Sequence, residues 1–217
     1  MSKNSHKESG KRPDAAPDAR LFVIAAPSGA GKTTLVRKLV ERNPGIRFSV
    51  SYTTRKQRRN EKEGRDYFFV AVTDFHELEK NGELLESALV FDNHYGTSRQ
   101  QVEEHLASGH HVLLEIDWQG AQQVRESMPE CITIFVLPPS RVELERRLRD
   151  RQTDSDAVIE RRLRDALSDM SHWDEFDYCI VNDNLDQAVD ELEAVLRGDS
   201  EHCRCERMRP LIEKILA

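Results

Sequence analysis

The stretch "FVIAAPSGAGKTTLVRKLV", Phe22 to Val40, decides the fold. An apolar run, Leu21–Ala26, reads as a buried strand, and Lys32–Arg42, with Leu35, Val36, Leu39 and Val40 at helical spacing, reads as an amphipathic helix. Between them, "APSGAGKT" fills Ala26 to Thr33 in the pattern of a phosphate-binding loop, Gly-x-x-x-x-Gly-Lys-Ser/Thr, with Ala26 in place of the first glycine. Such a loop turns successive backbone N–H groups toward an anion, and the helix N-terminus adds positive potential. Gly29 and Gly31 let the backbone wrap phosphate closely, Lys32 reaches the β- and γ-phosphates, and the Thr33 hydroxyl is a ligand for Mg²⁺. The turn is therefore expected to hold the phosphates of a nucleoside triphosphate.

The rest of the chain carries a βαβα rhythm. Val112–Ile116, Ile132–Leu137 and Tyr178–Val181 read as further strands, and Gln119–Ser127, Val142–Arg151 and Leu185–Arg197 as the helices after them. Near-continuous apolar strands alternating with helices imply a parallel sheet covered on both faces. From Arg47 to about Gly109 the rhythm breaks into short strands and turns, with a helix expected from Asp74, boxed by Glu77, and another from Ser98, boxed by Gln101 and stopped by Gly109. A second irregular region, Ser140 to Trp173, is helix-rich and dense in arginine.

With 38% hydrophobic and 33% charged residues and a net charge of −7 over 217 residues, the chain reads as a globular protein that is neither a general nucleic-acid binder nor a membrane protein. Residues 1–20 read as a disordered tail without the apolar segment of a secretory signal. The four cysteines read as reduced thiols, Cys131 and Cys179 within strands and Cys203 and Cys205 as surface or packing residues, which suits a reducing cytoplasm.

The irregular insert brings in the second substrate. "SVSYTTRKQRRNEKEGRDYFF" clusters Ser51, Arg55 and Arg58 with Tyr67 following, residue types that bind phosphate through guanidinium forks and hydroxyls. Glu86 in "GELLES", with Tyr95 and Thr97 in "HYGTS", supplies a carboxylate beside hydroxyls. Guanine offers N1–H and N2–H₂ on one edge, and a carboxylate accepts both. Adenine presents an acceptor at N1 and mismatches it.

The chain resembles the guanylate kinases of bacterial type, through "APSGAGKTTL", "FSVSYTTR", "GRDYFFV", "HYGTSR", "LLEIDWQGAQQVR", "LPPS", "VIERRL" and "DYCIVND", in the family's order from about Leu21 to Gly198. The resemblance implies an α/β fold: a P-loop core of parallel sheet flanked by helices (21–46, 102–139 and 174–217), a small mixed GMP-binding insert (47–101) and a helical lid (140–173). It implies phosphoryl transfer from ATP to GMP, with Mg²⁺ accompanying ATP, dGMP as a further acceptor and a homo-oligomer compatible with the sequence. ATP contacts would come from Ala26, Pro27, Ser28, Gly29, Ala30, Gly31, Lys32, Thr33 and Thr34. Ser51, Arg55, Arg58, Tyr67 and Tyr95 would hold the GMP phosphate and its surroundings, and Ser51, Glu86 and Thr97 would read the base. Glu115 and Asp117 would face the site and order Mg²⁺ or its waters. Arg147, Arg151 and Arg162 would join Lys32 and Arg58 in clamping the transferring phosphates. The chain departs from the family at Gln57 and Arg59, where proline and glycine are usual, and at Asp150 and Gln152, where the lid normally has glycines. A P-loop kinase of a phosphorylated sugar would have no use for Glu86, Tyr95 and Thr97. A non-catalytic guanylate-kinase-like module would typically have lost the intact Gly31-Lys32-Thr33.

Overall fold

The structure, a computed structural model, describes residues 19–90, 92–150 and 156–217. Most of the expected tail, and Arg151 and Gln152, lie outside the described residues. In chain order the elements are strand β1 (Leu21–Ala25), helix α1 (Lys32–Arg42), β2 (Arg47–Phe48), β3 (Tyr52–Thr53), β4 (Phe68–Phe69), α2 (Val72–Lys80), β5 (Leu84–Val90), β6 (Asn93–Ser98), α3 (Arg99–Ala107), β7 (Val112–Glu115), α4 (Trp118–Ser127), β8 (Ile132–Leu137), α5 (Arg141–Arg149), α6 (Asp156–Met170), β9 (Tyr178–Val181), α7 (Leu185–Arg197) and α8 (Cys205–Leu216).

Five strands form a parallel sheet in the order β2-β7-β1-β8-β9. Its strands are apolar on both faces because both are covered. Phe22, Ile24, Leu113, Ile134 and Ile180 pack with Leu35 and Leu39 of α1 and Val189 and Leu192 of α7. Val23, Ala25, Leu114, Phe135 and Cys179 pack on the other face with Val124 of α4, Leu144 and Leu148 of α5 and Ile212 of α8. From β1 the chain passes to β2 and then β7 on one side, and from β7 it crosses to β8 and β9 on the other. The carboxyl end of β1 is thus a topological switch point, the place where open α/β sheets bind ligands, and the glycine-rich loop sits there.

The second sheet, β4-β3-β6-β5, is mixed: β5–β6 and β3–β6 are antiparallel and β3–β4 parallel. It is the short-stranded insert expected from the sequence, with one shift: Arg47–Phe48, assigned there to the insert, pairs with β7 as the edge of the core sheet.

Three further local readings need correction. Helix α2 starts at Val72, with Ala71 at its N-cap and no side-chain cap; Asp74 lies inside the first turn, where a carboxylate favours the helix dipole just as it does at a cap. Ser98 does cap α3 by accepting from Gln101 N, but the Gln101 side chain pairs with the Val50 backbone instead of closing the box. The cysteines are not all reduced thiols: Cys179 of β9 and Cys205 of α8 form a disulfide, while Cys131 and Cys203 are free and buried. Among the described residues, no helix is long and apolar enough to cross a membrane.

Candidate active site

The loop after β1 needs its glycines. Gly29 and Gly31 have φ of 92° and 89°, in the left-handed region. A Cβ on Gly31 would lie 2.5 Å from Asn182 Nδ2, and one on Gly29 would lie 2.8 Å from Leu144 Cδ1. Buried Asn182, just past β9, donates to Ala30 O at 2.8 Å and so fastens the loop to the sheet. Leu144 and Leu148, fully buried on α5, press on it from the other side. The loop from Ala26 to Thr34 lines a cavity of about 310 Å³.

Arg147 lies on the same face of α5, one turn from Glu143. Its Nε donates to Glu143 Oε1 at 2.7 Å, Nη2 to Asn182 O at 3.0 Å and Nη1 to Ala30 O at 3.4 Å. Glu143, shared between Arg146 and Arg147, is pulled down to about 2 by those two guanidiniums. The resemblance assigns this segment to a helical lid. In the structure α5 already rests on the loop through its leucines, with Arg147 at the rim.

At the loop's far end Lys32 donates to Ile116 O at 2.5 Å and Thr33 Oγ1 to Glu115 Oε1 at 2.5 Å. Burial pushes the Lys32 ammonium below the usual amine range, while Glu115, Asp117, Asp169 and Glu86 pull the other way. Asp117 caps α4 through Gly120 N at 2.7 Å.

A second cavity, about 440 Å³, opens between the core and the insert. It is lined by Lys32, Ser51, Tyr67, Glu86, Tyr95, Glu115 and Asp117, among others. Lys32 is the residue common to the linings of the two cavities. Glu86 is 5% exposed and accepts from Thr97 Oγ1 at 2.7 Å. Burial pushes its carboxyl up to about 7; the Thr97 hydrogen bonds and Lys32 oppose that shift, and Asp117 adds to it. Ionised, the Glu86 carboxylate accepts from a ligand edge that donates two hydrogen bonds; the protonated form that burial favours carries a donor of its own and matches that edge less well.

The candidate arginines are not gathered as the sequence suggests. Arg55 lies 5.4 Å from the Tyr67 ring, but its guanidinium forks onto Glu61, Nη2 to Oε1 at 2.7 Å and Nη1 to Oε2 at 3.1 Å. The Glu61 bond raises Arg55 above the usual guanidinium range, and the Arg55 bond in turn lowers Glu61. Arg58 is exposed, and its backbone N–H also bonds Glu61. Arg162, half-buried on α6, lines neither cavity.

Four residues escaped the sequence reading. Asn182 ends a strand at the sheet's ligand-binding edge, and that position was the available signal. Gly120 follows Asp117 in the same turn: a Cβ there would sit 3.1 Å from Glu86 Oε2. Asp169 on α6 accepts from Trp118 Nε1 at 3.1 Å and is itself pushed up by burial. Glu61 occupies Arg55; one more acidic residue in a charged turn gave no sign of that.

A family model described as guanylate kinase matches residues 18–199. Among curated relatives, the chain is 50% identical over 197 residues to a guanylate kinase of Methylococcus capsulatus, covering 91% of this chain and 96% of that one. It is 55% identical over 178 residues to one of Aromatoleum aromaticum, covering 82% and 87%. Among solved structures, it resembles a guanylate kinase from Anaplasma phagocytophilum with a TM-score of 0.69 at 37% identity, covering 92% of this chain and 96% of that one. The chain belongs to the guanylate kinase family.

Proposed function

We propose that the guanylate kinase reaction of this chain, phosphoryl transfer from ATP to GMP giving ADP and GDP, runs across the junction of the two cavities at Lys32. The observation that carries this reading is the one lysine lining both the glycine-rich loop and the Glu86 pocket. ATP lies with its phosphates on the loop from Ala26 to Thr34. GMP lies in the insert cavity, its base edge toward Glu86 and Thr97 and its phosphate toward Tyr67, Tyr95, Ser51 and the Arg55–Arg58 turn. An ionised GMP phosphate oxygen attacks the γ-phosphorus as the bond to the ADP oxygen breaks, so no protein base is required. Lys32 supplies positive charge where the phosphoryl group passes, and Arg147 adds it at the rim.

The Thr33 hydroxyl and Glu115 carboxylate, 2.5 Å apart at the end of the loop, are hard oxygen donors of the kind Mg²⁺ accepts alongside substrate phosphates. They fit the ion, and Asp117 lines the same cavity as Glu115. Bound there, Mg²⁺ would neutralise charge on the ATP phosphates. ATP and GMP are intracellular nucleotides, which supports a cytoplasmic setting.

A coupled assay with ATP and a panel of GMP, dGMP, AMP and ribose phosphates tests the reading. Turnover with GMP, weaker turnover with dGMP, and little with AMP or sugar phosphates is the expected order. Equal use of AMP would contradict the assignment of Glu86.

A further inference from the structure

Strand β5 carries Glu86, and it is an edge strand: β6 pairs with one side only. An edge leaves backbone N–H and C=O groups without a ladder partner. Here the open edge is laid along α4 of the core. The Gln123 carboxamide meets both backbone groups of Ser87, accepting from its N–H at 2.9 Å and donating to its C=O at 3.0 Å. One turn further along α4, Ser127 Oγ lies 3.5 Å from Leu85 O. One turn earlier, Gly120 lets Glu86 Oε2 come close, where a Cβ would stand 3.1 Å away. Gly120, Gln123 and Ser127 form one stripe on the helix at spacings of three and four, and its contacts reach Leu85, Glu86 and Ser87 in turn.

The register of β5 makes this contact consequential. Leu84 pairs with Ser98 and Glu86 with Thr97, so two steps on β5 match one on β6. The bulge at Leu85 gives three consecutive buried residues, Leu84, Leu85 and Glu86, instead of alternation. Leu85 joins the core cluster beneath α4, and Glu86 turns into the cavity. A bulge leaves one residue unpaired and locally disrupts the ladder. Gln123 bonds the residue just after it in the manner of a neighbouring strand.

We propose that Gln123 is a positioning residue for acceptor specificity: its carboxamide replaces the missing strand at Ser87 and fixes Glu86 against α4, so that base recognition depends on a side chain outside the cavity lining. The proposal rests on the reading that Glu86 recognises guanine. Gln123 sits on a core helix and Ser87 on the insert sheet, so the pair is one of the links between insert and core.

Gln123→Met keeps the length of the side chain and removes both bonds. Expected is a roughly tenfold rise in KM for GMP, the scale of a lost pair of partly buried hydrogen bonds, with KM for ATP within about twofold and a lower GMP-over-AMP ratio of kcat/KM. Gln123→Glu, which retains only the acceptor, falls between. The decisive arm is the double variant with Glu86→Gln. If Gln123 acts through Glu86, the pair is no worse for GMP than Glu86→Gln alone. An unchanged GMP KM in Gln123→Met, with Glu86→Gln strongly impaired, overturns the positioning role and spares the Glu86 reading. Additive losses, or equal rises in KM for ATP and GMP with a lowered Tm, show a merely structural residue and also overturn it. An unimpaired Glu86→Gln removes the premise and refutes both readings together.

Discussion

The donor and acceptor sides of this site are held by opposite means. The glycine-rich loop is fixed by contacts on both sides: Asn182 on the Ala30 carbonyl, Leu144 and Leu148 against Gly29, and its own Lys32 ammonium on Ile116 O. Nearly all of these are buried, and each bond joins a side chain to backbone. The acceptor side has its base-reading end buried in the same way, at Glu86 and Thr97. The end proposed for the GMP phosphate is a charged turn that satisfies itself, Arg55 and the Arg58 N–H both occupied by Glu61. A preorganised donor cradle costs little to fill. In the proposed binding mode the acceptor turn exchanges a carboxylate for a phosphate, so its binding energy would be a difference between two good guanidinium partners.

The largest effect should come from breaking the donor side. Lys32→Ala is expected to lower kcat by about 10²–10³-fold or more, the scale of removing one preorganised donor from a charged transition state, with GMP affinity close to wild type. Stopped-assay turnover and calorimetry with GMP check the two halves separately. Next comes the acceptor's buried end. Glu86→Gln turns one acceptor into a donor aimed at guanine's own donors and should weaken GMP by about 1.5–3 kcal/mol, read as KM against GMP and against AMP. Unchanged discrimination would remove the base-reading role.

A smaller, pH-linked effect sharpens the same contrast. With its folded-state carboxyl raised to about 7 by burial, Glu86 binds a proton in the folded protein that the unfolded chain has lost. Its contribution to stability is therefore fully present below the ordinary carboxylate range and declines as pH rises toward 7. Guanine requires the ionised form, so GMP affinity should increase across the same window. The GMP phosphate also titrates near there, at about 6 as for other phosphate monoesters. The part due to Glu86 is the part that Glu86→Gln abolishes, measured as KM for GMP between about pH 6 and 8.

The smallest effect on activity is expected far from both cavities. Cys205→Ser opens the Cys179–Cys205 link, which joins residues 26 apart in sequence. It should cost about 2–4 kcal/mol of stability under oxidising conditions and leave both KM values alone. Thermal melts with and without reductant, compared with wild type, would show it.

What could be read from sequence follows the same division. β1, β7, β8 and β9 and helices α1, α4 and α7 were legible because burial on both faces forces continuous apolar runs and long amphipathic periods. Lys32 and Thr33 were legible because phosphate binding restricts spacing within one loop. The Glu86–Thr97 pair was legible as a carboxylate beside a hydroxyl, the groups a guanine edge would need. Their geometry was not: the bulge at Leu85 and the Gln123 contact arise between segments far apart in the chain. The Arg55–Glu61 pairing was hidden because a charged turn reads the same whether its arginines face a ligand or one another. The start of α2 was misplaced because Asp74 serves a first turn as well as a cap. The disulfide escaped because a strand cysteine and a cysteine in a charged C-terminal stretch carry no spacing signal.

A crystal structure with GMP and a non-hydrolysable ATP analogue bears most directly on the difference between the two sides. The Ala26–Thr34 backbone should superpose on its present form, Asn182 still bonded to Ala30, while Arg55 leaves Glu61 for the GMP phosphate and Glu86 faces the guanine edge. A loop that rebuilds around ATP while Arg55 stays paired with Glu61 would contradict the account.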